Sequence, residues 1–293
     1  MVKIVVGCGE NKNVILAKEE LAEKNNLEIN LAFSDDDLIS AMNDKTVDAV
    51  VRGSLKSSSL LRKLKYLNKE KFINRASFIK FKNELNEDVE DSELDFNGFL
   101  LEPVGIDEGK NIDEKFEMII RSVNFILGLG KTPKIAILSC GRKEDFGRSS
   151  EIDKSLEDSE KLLKKLSDFF LHDELYSKCL ESNNYIKNEN INESKNIQKN
   201  LIYNFENISI KNYNILIEKA IEDGNNIIVA PNGIIGNIIF RTLVLVDSWK
   251  SFGAIALGSE KIFIDTSRDQ SKEGYMRAIS LAFNLANKKL LNK

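Results

Sequence analysis

The amino-acid sequence predicts an α/β fold with two domains, and three observations support this prediction. The chain has 293 residues, which corresponds to about two domains at roughly 150 residues each. Short apolar runs rich in β-branched residues alternate with segments of helical periodicity, a pattern typical of parallel sheets covered by helices on both faces. Turns containing Gly, Ser or Asn follow several of these runs, as they do where strands lead into helices.

The first third of the chain alternates buried strands with helices. The strands are expected over Val2–Val6, Glu28–Phe33 and Val47–Val51, and the helices over Asn13–Asn25, Asp35–Met42 and Leu60–Leu67. The second of these helices begins with acidic residues, which the positive end of a helix dipole stabilises. Two later apolar runs, Ala76–Phe81 and Phe96–Val104, flank the acidic segment 83–93, so we expect an antiparallel pair with an exposed loop between its strands.

The rest of the chain continues the alternation. An amphipathic helix is expected over Asp113–Leu127, because Gly128 and Gly130 follow it as stop signals. Further strands are expected over Lys134–Ser139, Asn226–Ala230, Ala254–Leu257 and Ile262–Ile264, and further helices over Asp153–Leu171, Tyr213–Asp223, Gly236–Val246 and Ser271–Asn292. The polar, Asn-rich segment 181–199 is a poor core segment and is interpreted as a variable surface insertion.

Composition excludes several classes of protein. Basic residues number 42 and acidic residues 46, and the resulting net charge of -4 disfavours broad electrostatic binding to nucleic acid. A single His (His172) and three widely spaced Cys argue against a metal site or a disulfide framework. The sequence shows no signal peptide and no long apolar run, so we expect a cytoplasmic protein that does not contact a membrane.

Polar loops that follow four of the predicted strands form the candidate site. Ligands of open α/β sheets bind outside the carboxyl ends of the strands, and Ser, Gly, Asn and Arg at helix starts suit a phosphate or another oxyanion. The candidate binding residues are Arg52, Gly53, Ser54, Lys56, Ser57, Ser58, Ser139, Arg142, Asn232, Gly233, Gly236, Asn237, Arg241 and Asp265. For each loop, the alternative is an ordinary tight turn or helix cap with surface charges.

Other motifs are weaker. Gly7-Cys8-Gly9 lies where a dinucleotide fingerprint would begin, but Lys12 stands at the third Gly position, which favours a plain tight turn. The segment 128–132 ends like a P-loop, yet it closes a helix and enters a strand, which is the reverse of the P-loop order. Cys8 and Cys140 are expected to be small buried residues rather than reactive thiolates.

Several segments resemble the phosphate acetyltransferase and phosphate butyryltransferase family, and they occur in the family's order over about residues 45–293. VVRGSLKSSSLLRKL resembles the family's V-S-G-A-x-H-T-T segment, and residues 99–139 resemble the strand, helix and strand around its N-P-T-x-E region. IIVAPNGIIGNIIFRTLVLV resembles the P-D-x-x-x-G-N-x-x-Y-K helix opening, and IFIDTSRD resembles the N-D-L-S-R-G segment.

A closer resemblance covers the whole chain. AILSCGRKEDFGRSSEIDK and APNGIIGNIIFRTLVLV are similar to the two most characteristic stretches of the methanogenesis marker protein 4 family, also called methyltransferase subunit X. This resemblance implies a methanogenic archaeon as the source and methyltransferase subunits as partners. It implies no particular reaction.

The acyltransferase resemblance implies a fold of the isocitrate and isopropylmalate dehydrogenase type, with an interdomain cleft in which acyl phosphate and coenzyme A meet. We therefore expect one domain formed by 1–95 and 265–293, and a second formed by 96–264. Ser267 and Arg268 match the family's active-site pair, in which Arg268 would neutralise phosphate or the oxyanion and Ser267 would bind the attacking sulfur. The resemblance also implies a homodimer and no cofactor, with coenzyme A as a substrate.

The chain departs from the family pattern at positions that bear on the chemistry. Arg52, Lys56 and Asn232 stand where the family has Ser, His and Asp, and Glu273 is out of register with the family's proposed base. A coenzyme A thiol would then lack a clear general base. Two hypotheses follow: a transferase acting on a small anionic substrate, with Ser267 and Arg268 as the catalytic residues, or a non-catalytic accessory or regulatory subunit of a methyltransferase system in methanogenesis.

Overall fold

The computed structural model describes residues 1–22, 26–56, 60, 63, 74–81, 96–182, 208–259 and 261–291. The chain divides into two compact units. Unit 1 consists of residues 1–106 and 234–293, and unit 2 consists of residues 107–233. No helix in these described ranges is both long and apolar enough to cross a membrane.

Unit 1 is built on a sheet with the strand order β2-β1-β3-β10-β9-β4-β5. Its strands are β1 (Val2–Gly7), β2 (Leu27–Ala32), β3 (Ala49–Val51), β4 (Asn74–Lys80), β5 (Gly98–Glu102), β9 (Ser251–Leu257) and β10 (Ile262–Asp265). β2, β1, β3 and β10 are parallel neighbours, whereas β9 pairs antiparallel with both β10 and β4. β4 and β5 pair antiparallel, which confirms the prediction for these two runs.

Unit 1 also contains helices. They are α1 (Asn13–Leu21), α2 (Asp35–Asn43), α6 (Gly233–Phe240) with a π-helical extension (Arg241–Val246), and α7 (Lys272–Leu291). Ser34 accepts a hydrogen bond from the amide of Asp37, and the Asp37 carboxylate accepts one from the amide of Ser34, so a capping box begins α2. α7 packs on α1, β1 and β3, with Tyr275 and Ile279 fully buried.

Among its described residues, unit 2 contains three parallel strands in the order β8-β6-β7. The strands are β6 (Lys134–Leu138), β7 (Ser209–Asn214) and β8 (Ile227–Val229), and the helices are α3 (Ile112–Gly128), α4 (Ser150–Ser182) and α5 (Ile217–Glu222), with a 3-10 turn at Lys143–Asp145. The Asn111 side chain caps α3 by accepting a hydrogen bond from the amide of Glu114.

Several elements differ from the sequence predictions. The helix expected over Tyr213–Asp223 is the end of strand β7 followed by the short helix α5, because β7 pairs along its length with β6. The helix expected from Gly236 begins earlier, at Gly233, and its burial was overpredicted, since Ile234, Ile238, Leu245 and Val246 are exposed. Apolar composition alone does not determine which helix faces meet the sheet.

The two units also differ from the expected domain bounds. Residues 96–106 and 234–264 were expected in the second domain but group with unit 1, because β5 and β9 hydrogen-bond to strands of that unit. The predicted acidic loop 83–93, most of the helix at 60–67 and the Asn-rich segment 183–199 lie outside the described residues.

Candidate functional site

The candidate site lies at the carboxyl ends of β1, β3 and β10, three adjacent strands of unit 1. Val51 of β3 lies opposite both Val6 of β1 and Ile264 of β10, so the three parallel strands end at the same edge of the sheet. The loops that follow them, 7–11, 52–56 and 266–271, therefore meet there. We call these three loops the strand-end site.

Two glycines allow the first two loops to approach each other. Gly53 has a φ of +61°, and a Cβ at this residue would lie 1.8 Å from the carbonyl oxygen of Gly7. The amide of Ser54 donates a 3.0 Å hydrogen bond to that same carbonyl oxygen. A side chain at residue 53 would displace the backbone contact that joins the loops after β1 and β3.

A buried cluster of two arginines and one carboxylate lies beneath the loops. Arg52 donates from Nε to Oδ1 of Asp265 and from a terminal nitrogen to the carbonyl of Leu55. Arg75, on β4, donates a 2.9 Å hydrogen bond to the other carboxylate oxygen of Asp265. The side chains of Arg52 and Asp265 are 6% and 9% exposed. Both residues therefore stabilise the site from below, and direct contact of either with a ligand stays a prediction.

The loop after β10 presents Ser267 and Arg268 to solvent while its main chain is held from beneath. Tyr275 donates its hydroxyl hydrogen to the carbonyl of Arg268 at 2.7 Å, and the carbonyl of Ser267 lies 3.2 Å from the same hydroxyl. The side-chain amide of Asn11 donates a 3.2 Å hydrogen bond to the carbonyl of Arg268. Arg268 Nε lies 3.6 Å from Asp269 Oδ1, but both side chains are more than half exposed, so this ion pair is weak.

Burial sets the protonation state of the tyrosine that holds this loop. Tyr275 is fully buried, and desolvation raises its pKa to about 12. The hydroxyl is therefore protonated throughout the neutral range and acts as a hydrogen-bond donor. The Cys8 thiol is also buried, and burial raises its pKa, which confirms that Cys8 is a small core residue.

Some hydroxyl groups of this site form hydrogen bonds within the protein, whereas another is exposed to solvent. Ser54 accepts a 2.7 Å hydrogen bond from the amide of Gly9, and Thr266 donates a 2.7 Å hydrogen bond to the carbonyl of Gly53. Both side chains are buried and hold loops together, whereas Ser267 is exposed. Lys56 is exposed beside them, and the predicted ligands Ser57 and Ser58 lie outside the described residues.

The predicted binding residues Gly236, Asn237 and Arg241 lie along α6 and its π-helical extension. Asn237 donates a 3.1 Å hydrogen bond to the carbonyl of Val104, which occupies its amide within unit 1. Gly236 is buried, and Arg241 is exposed at the first position of the π-helical segment. Asn237 thus joins α6 to the segment that follows β5, and its contact with a ligand stays a prediction.

In unit 2, the predicted residues follow the neighbouring strands β6 and β8. Ser139 is buried and its hydroxyl donates a 3.0 Å hydrogen bond to the carbonyl of Gly141, so it shapes the loop. Arg142 is exposed, and Asn232 and Gly233 follow β8 at the start of α6. Cys140 is half-buried, so the expectation of a buried residue is wrong there; its amide donates to Ser155.

Four residues of these sites escaped the sequence analysis: Asn11, Arg75, Lys115 and Tyr275. A signal existed for two of them. Arg75 is a charged residue between the buried residues Asn74 and Ala76 of β4, and Lys115 falls on the buried face of α3 with Met118, Ile119 and Ser122. A charged residue at a core position is uncommon and signals a specific partner. Asn11 and Tyr275 carry no such signal, because their role depends on loops brought together by the fold.

Comparison with known proteins gives close relatives by sequence. The chain is 31% identical over 285 residues to an uncharacterized methyltransferase of Methanocaldococcus jannaschii, covering 95% of this chain and 96% of that protein. It is 30% identical over 256 residues to the protein named "Putative methyltransferase mtx subunit X" of Methanosarcina barkeri, covering 87% and 74% of the two chains. No protein-family model matches the chain.

Solved structures show the same fold. A branched-chain phosphotransacylase from Enterococcus faecalis matches with a TM-score of 0.62 at 12% identity, covering 98% of this chain and 99% of that one. A 4-hydroxythreonine-4-phosphate dehydrogenase from Klebsiella pneumoniae matches with a TM-score of 0.53 at 10% identity, covering 98% and 100%. The predicted fold class, that of the phosphotransacylases and the isocitrate dehydrogenase type, is confirmed.

Proposed function

This chain belongs to the methyltransferase mtx subunit X family of methanogens, and we propose that it is a transferase-like protein that binds a small anionic ligand at the strand-end site of unit 1. The chain shares its fold with phosphotransacylases. The ligand class we propose is a phosphate-bearing or coenzyme-type molecule.

One observation carries this proposal: the exposed pair Ser267 and Arg268 stands on a main chain that is held in place. Asn11 and Tyr275 occupy the carbonyl of Arg268, so the loop needs little ordering when a ligand arrives. A guanidinium binds oxyanions through two parallel hydrogen bonds, and an adjacent hydroxyl adds a donor or acceptor. Beneath the loop, Arg52 and Arg75 both bind the carboxylate of Asp265, which holds this part of the site together.

In the transferase form of the proposal, the ligands are an acyl phosphate and the thiol of coenzyme A. The sulfur forms a bond to the acyl carbon, the bond from that carbon to the phosphate oxygen breaks, and phosphate leaves with the electron pair. Arg268 would stabilise the phosphate charge, and Ser267 would hydrogen-bond the sulfur. The thiol proton passes to an oxygen of the leaving phosphate.

A second candidate function, a non-catalytic accessory subunit of a methyltransferase system, is favoured by the state of Glu273, the acidic residue that stands near the family's proposed base but out of register with it. Hydrogen bonds from its own amide and from Ser271 lower the pKa of Glu273. A carboxylate used as a helix cap and held at a low pKa is a poor base for a thiol. In this form the site binds an anion for recognition, and the partners are methyltransferase subunits, as the name of the relatives suggests.

Two measurements on the full chain test the proposal. Calorimetric titration with acetyl phosphate should show binding that Arg268→Ala weakens at least tenfold, whereas Arg148→Ala, which removes another exposed arginine, should leave it unchanged. Unchanged affinity in Arg268→Ala would remove this residue from the site. Incubation with acetyl phosphate and coenzyme A then separates the two forms: acetyl-coenzyme A above background supports the transferase, and binding without product supports the accessory subunit.

A further inference from the structure

Unit 2 buries a lysine that no part of the proposed function uses. Lys115 lies in the first turn and a half of α3 and is 7% exposed. Lysine is almost never fully buried unless its charge is paired. Among the described residues, its ammonium makes one hydrogen bond, donated to the carbonyl of Pro231 at 3.0 Å.

No described acidic residue forms an ion pair with this ammonium. The nearest charged influences are Asp158 on α4, whose charge favours the ammonium form, and Cys140 at the end of β6. These act without a direct contact, and desolvation outweighs them, so the pKa of Lys115 is lowered from its ordinary value. An ammonium has three hydrogens, and the Pro231 carbonyl occupies one of them.

Lys115 contacts the loop that follows strand β8 in the sheet of unit 2. β6 and β8 are parallel neighbours, and Cys140 and Pro231 lie just past their carboxyl ends. Lys115 therefore reaches the edge at which open α/β sheets bind ligands.

We propose that the Lys115 ammonium is the charged group of a second anion-binding site, formed in unit 2 with the loops that follow β6 and β8. The ligand is a small molecule with a phosphate or carboxylate group. That group accepts the hydrogens of the ammonium that Pro231 leaves available. The Asn232 side chain and exposed Arg142 stand on the same two loops, where they contact the rest of the ligand.

A purely structural role would make a different use of the same residue. A lysine kept only to hold the Pro231 carbonyl would work equally well with and without an anion, and its protonation would not respond to phosphate. A ligand-binding lysine gains a charge partner on binding, so its ammonium form becomes more favourable when phosphate is present. This difference provides the readout.

The first experiment measures the protonation of Lys115 directly in the wild-type chain. Site-resolved acetylation by a small anhydride, followed across pH by peptide mass spectrometry, reports when each lysine amine becomes neutral. We expect inorganic phosphate to move the pH midpoint of the Lys115 reaction upward. Exposed Lys110 is the control, because an equal effect of phosphate on its reaction would show a general effect on the reagent. Equal midpoints for Lys115 with and without phosphate would overturn the proposal.

The second experiment removes the site. Arg268 also binds anions in the proposed function, so all three variants of this experiment carry Arg268→Ala. Failure of the site in unit 2 can then be distinguished from failure of the strand-end site. Phosphate should raise the Tm of the single variant Arg268→Ala and of the double variant Arg268→Ala/Lys110→Met. This increase in Tm should be absent in the double variant Arg268→Ala/Lys115→Met. Acetate in place of phosphate tests the carboxylate source. An equal phosphate shift in all three variants would show a general salt effect and overturn the proposal.

Discussion

The hydroxyl of Tyr275 donates a 2.7 Å hydrogen bond to the carbonyl oxygen of Arg268, so the first turn of α7 holds the loop that carries the exposed Ser267 and Arg268. Asn11 donates to the same carbonyl from the loop after β1. One main-chain oxygen thus joins two of the three loops of the strand-end site. This relationship explains how exposed functional groups acquire a defined position, and it leads to the first prediction.

Tyr275→Phe removes the hydroxyl and keeps the ring in its buried position. We expect the free energy of unfolding to fall by about 0.5–1.5 kcal/mol, because one hydrogen bond is lost while Asn11 still donates to the same carbonyl. Acetyl phosphate should also bind more weakly, because the Arg268 loop is less ordered. Urea denaturation and calorimetry measure the two effects. Tyr213→Phe, which removes a hydroxyl bonded to Asp223 in unit 2, should lower stability but leave this affinity unchanged.

The raised pKa of Tyr275 predicts a loss of stability at alkaline pH. The folded chain keeps the phenol protonated up to about pH 12, whereas an unfolded tyrosine ionises near pH 10. Between these values the unfolded state binds fewer protons, so stability falls as pH rises, by about 2.7 kcal/mol in total. Urea midpoints at pH 9 to 11 should decline more steeply for the wild type than for Tyr275→Phe. Parallel declines would show that another group is responsible.

Asp265→Asn should be among the most destabilising changes in unit 1. It removes the carboxylate that binds both Arg52 and Arg75, and it leaves the buried guanidinium of Arg52 without this counter-charge. Removal of one partner from a buried ion pair costs about 3–5 kcal/mol. Arg75→Met should cost less, because the contact between Arg52 and Asp265 remains. Thermal unfolding of the two variants gives the order. A larger loss for Arg75→Met would show that Asp265 is held mainly by Arg75.

Gly53→Ala and Gly130→Ala separate backbone strain from steric overlap. Both glycines have positive φ, +61° and +76°, so each substitution costs roughly 1–2 kcal/mol from conformation alone. A Cβ at Gly130 meets nothing within 4 Å, but a Cβ at Gly53 lies 1.8 Å from the Gly7 carbonyl oxygen. We expect Gly53→Ala to be clearly more destabilising in urea and to weaken acetyl phosphate binding. Equal stability losses would mean that the two loops separate without cost.

Much of the site could be located from the sequence. The strands Val2–Gly7 and Ile262–Asp265 and the turns after them are visible as local patterns, because strand periodicity and Gly-bearing turns depend on neighbouring residues. The resemblance to the phosphate acyltransferases indicated Ser267 and Arg268, which the structure shows exposed on one of these loops. Roles that depend on distant partners were not visible.

Arg52 illustrates the limit. In the sequence it stands in a polar loop after a strand and resembles an anion ligand, but in the structure it is buried against Asp265, 213 residues away in the chain. The sequence by itself therefore determined the fold class and which loops carry polar groups. Only the tertiary structure decided which of these groups pair with one another and which remain exposed, because burial and charge pairing depend on residues that meet across the sheet.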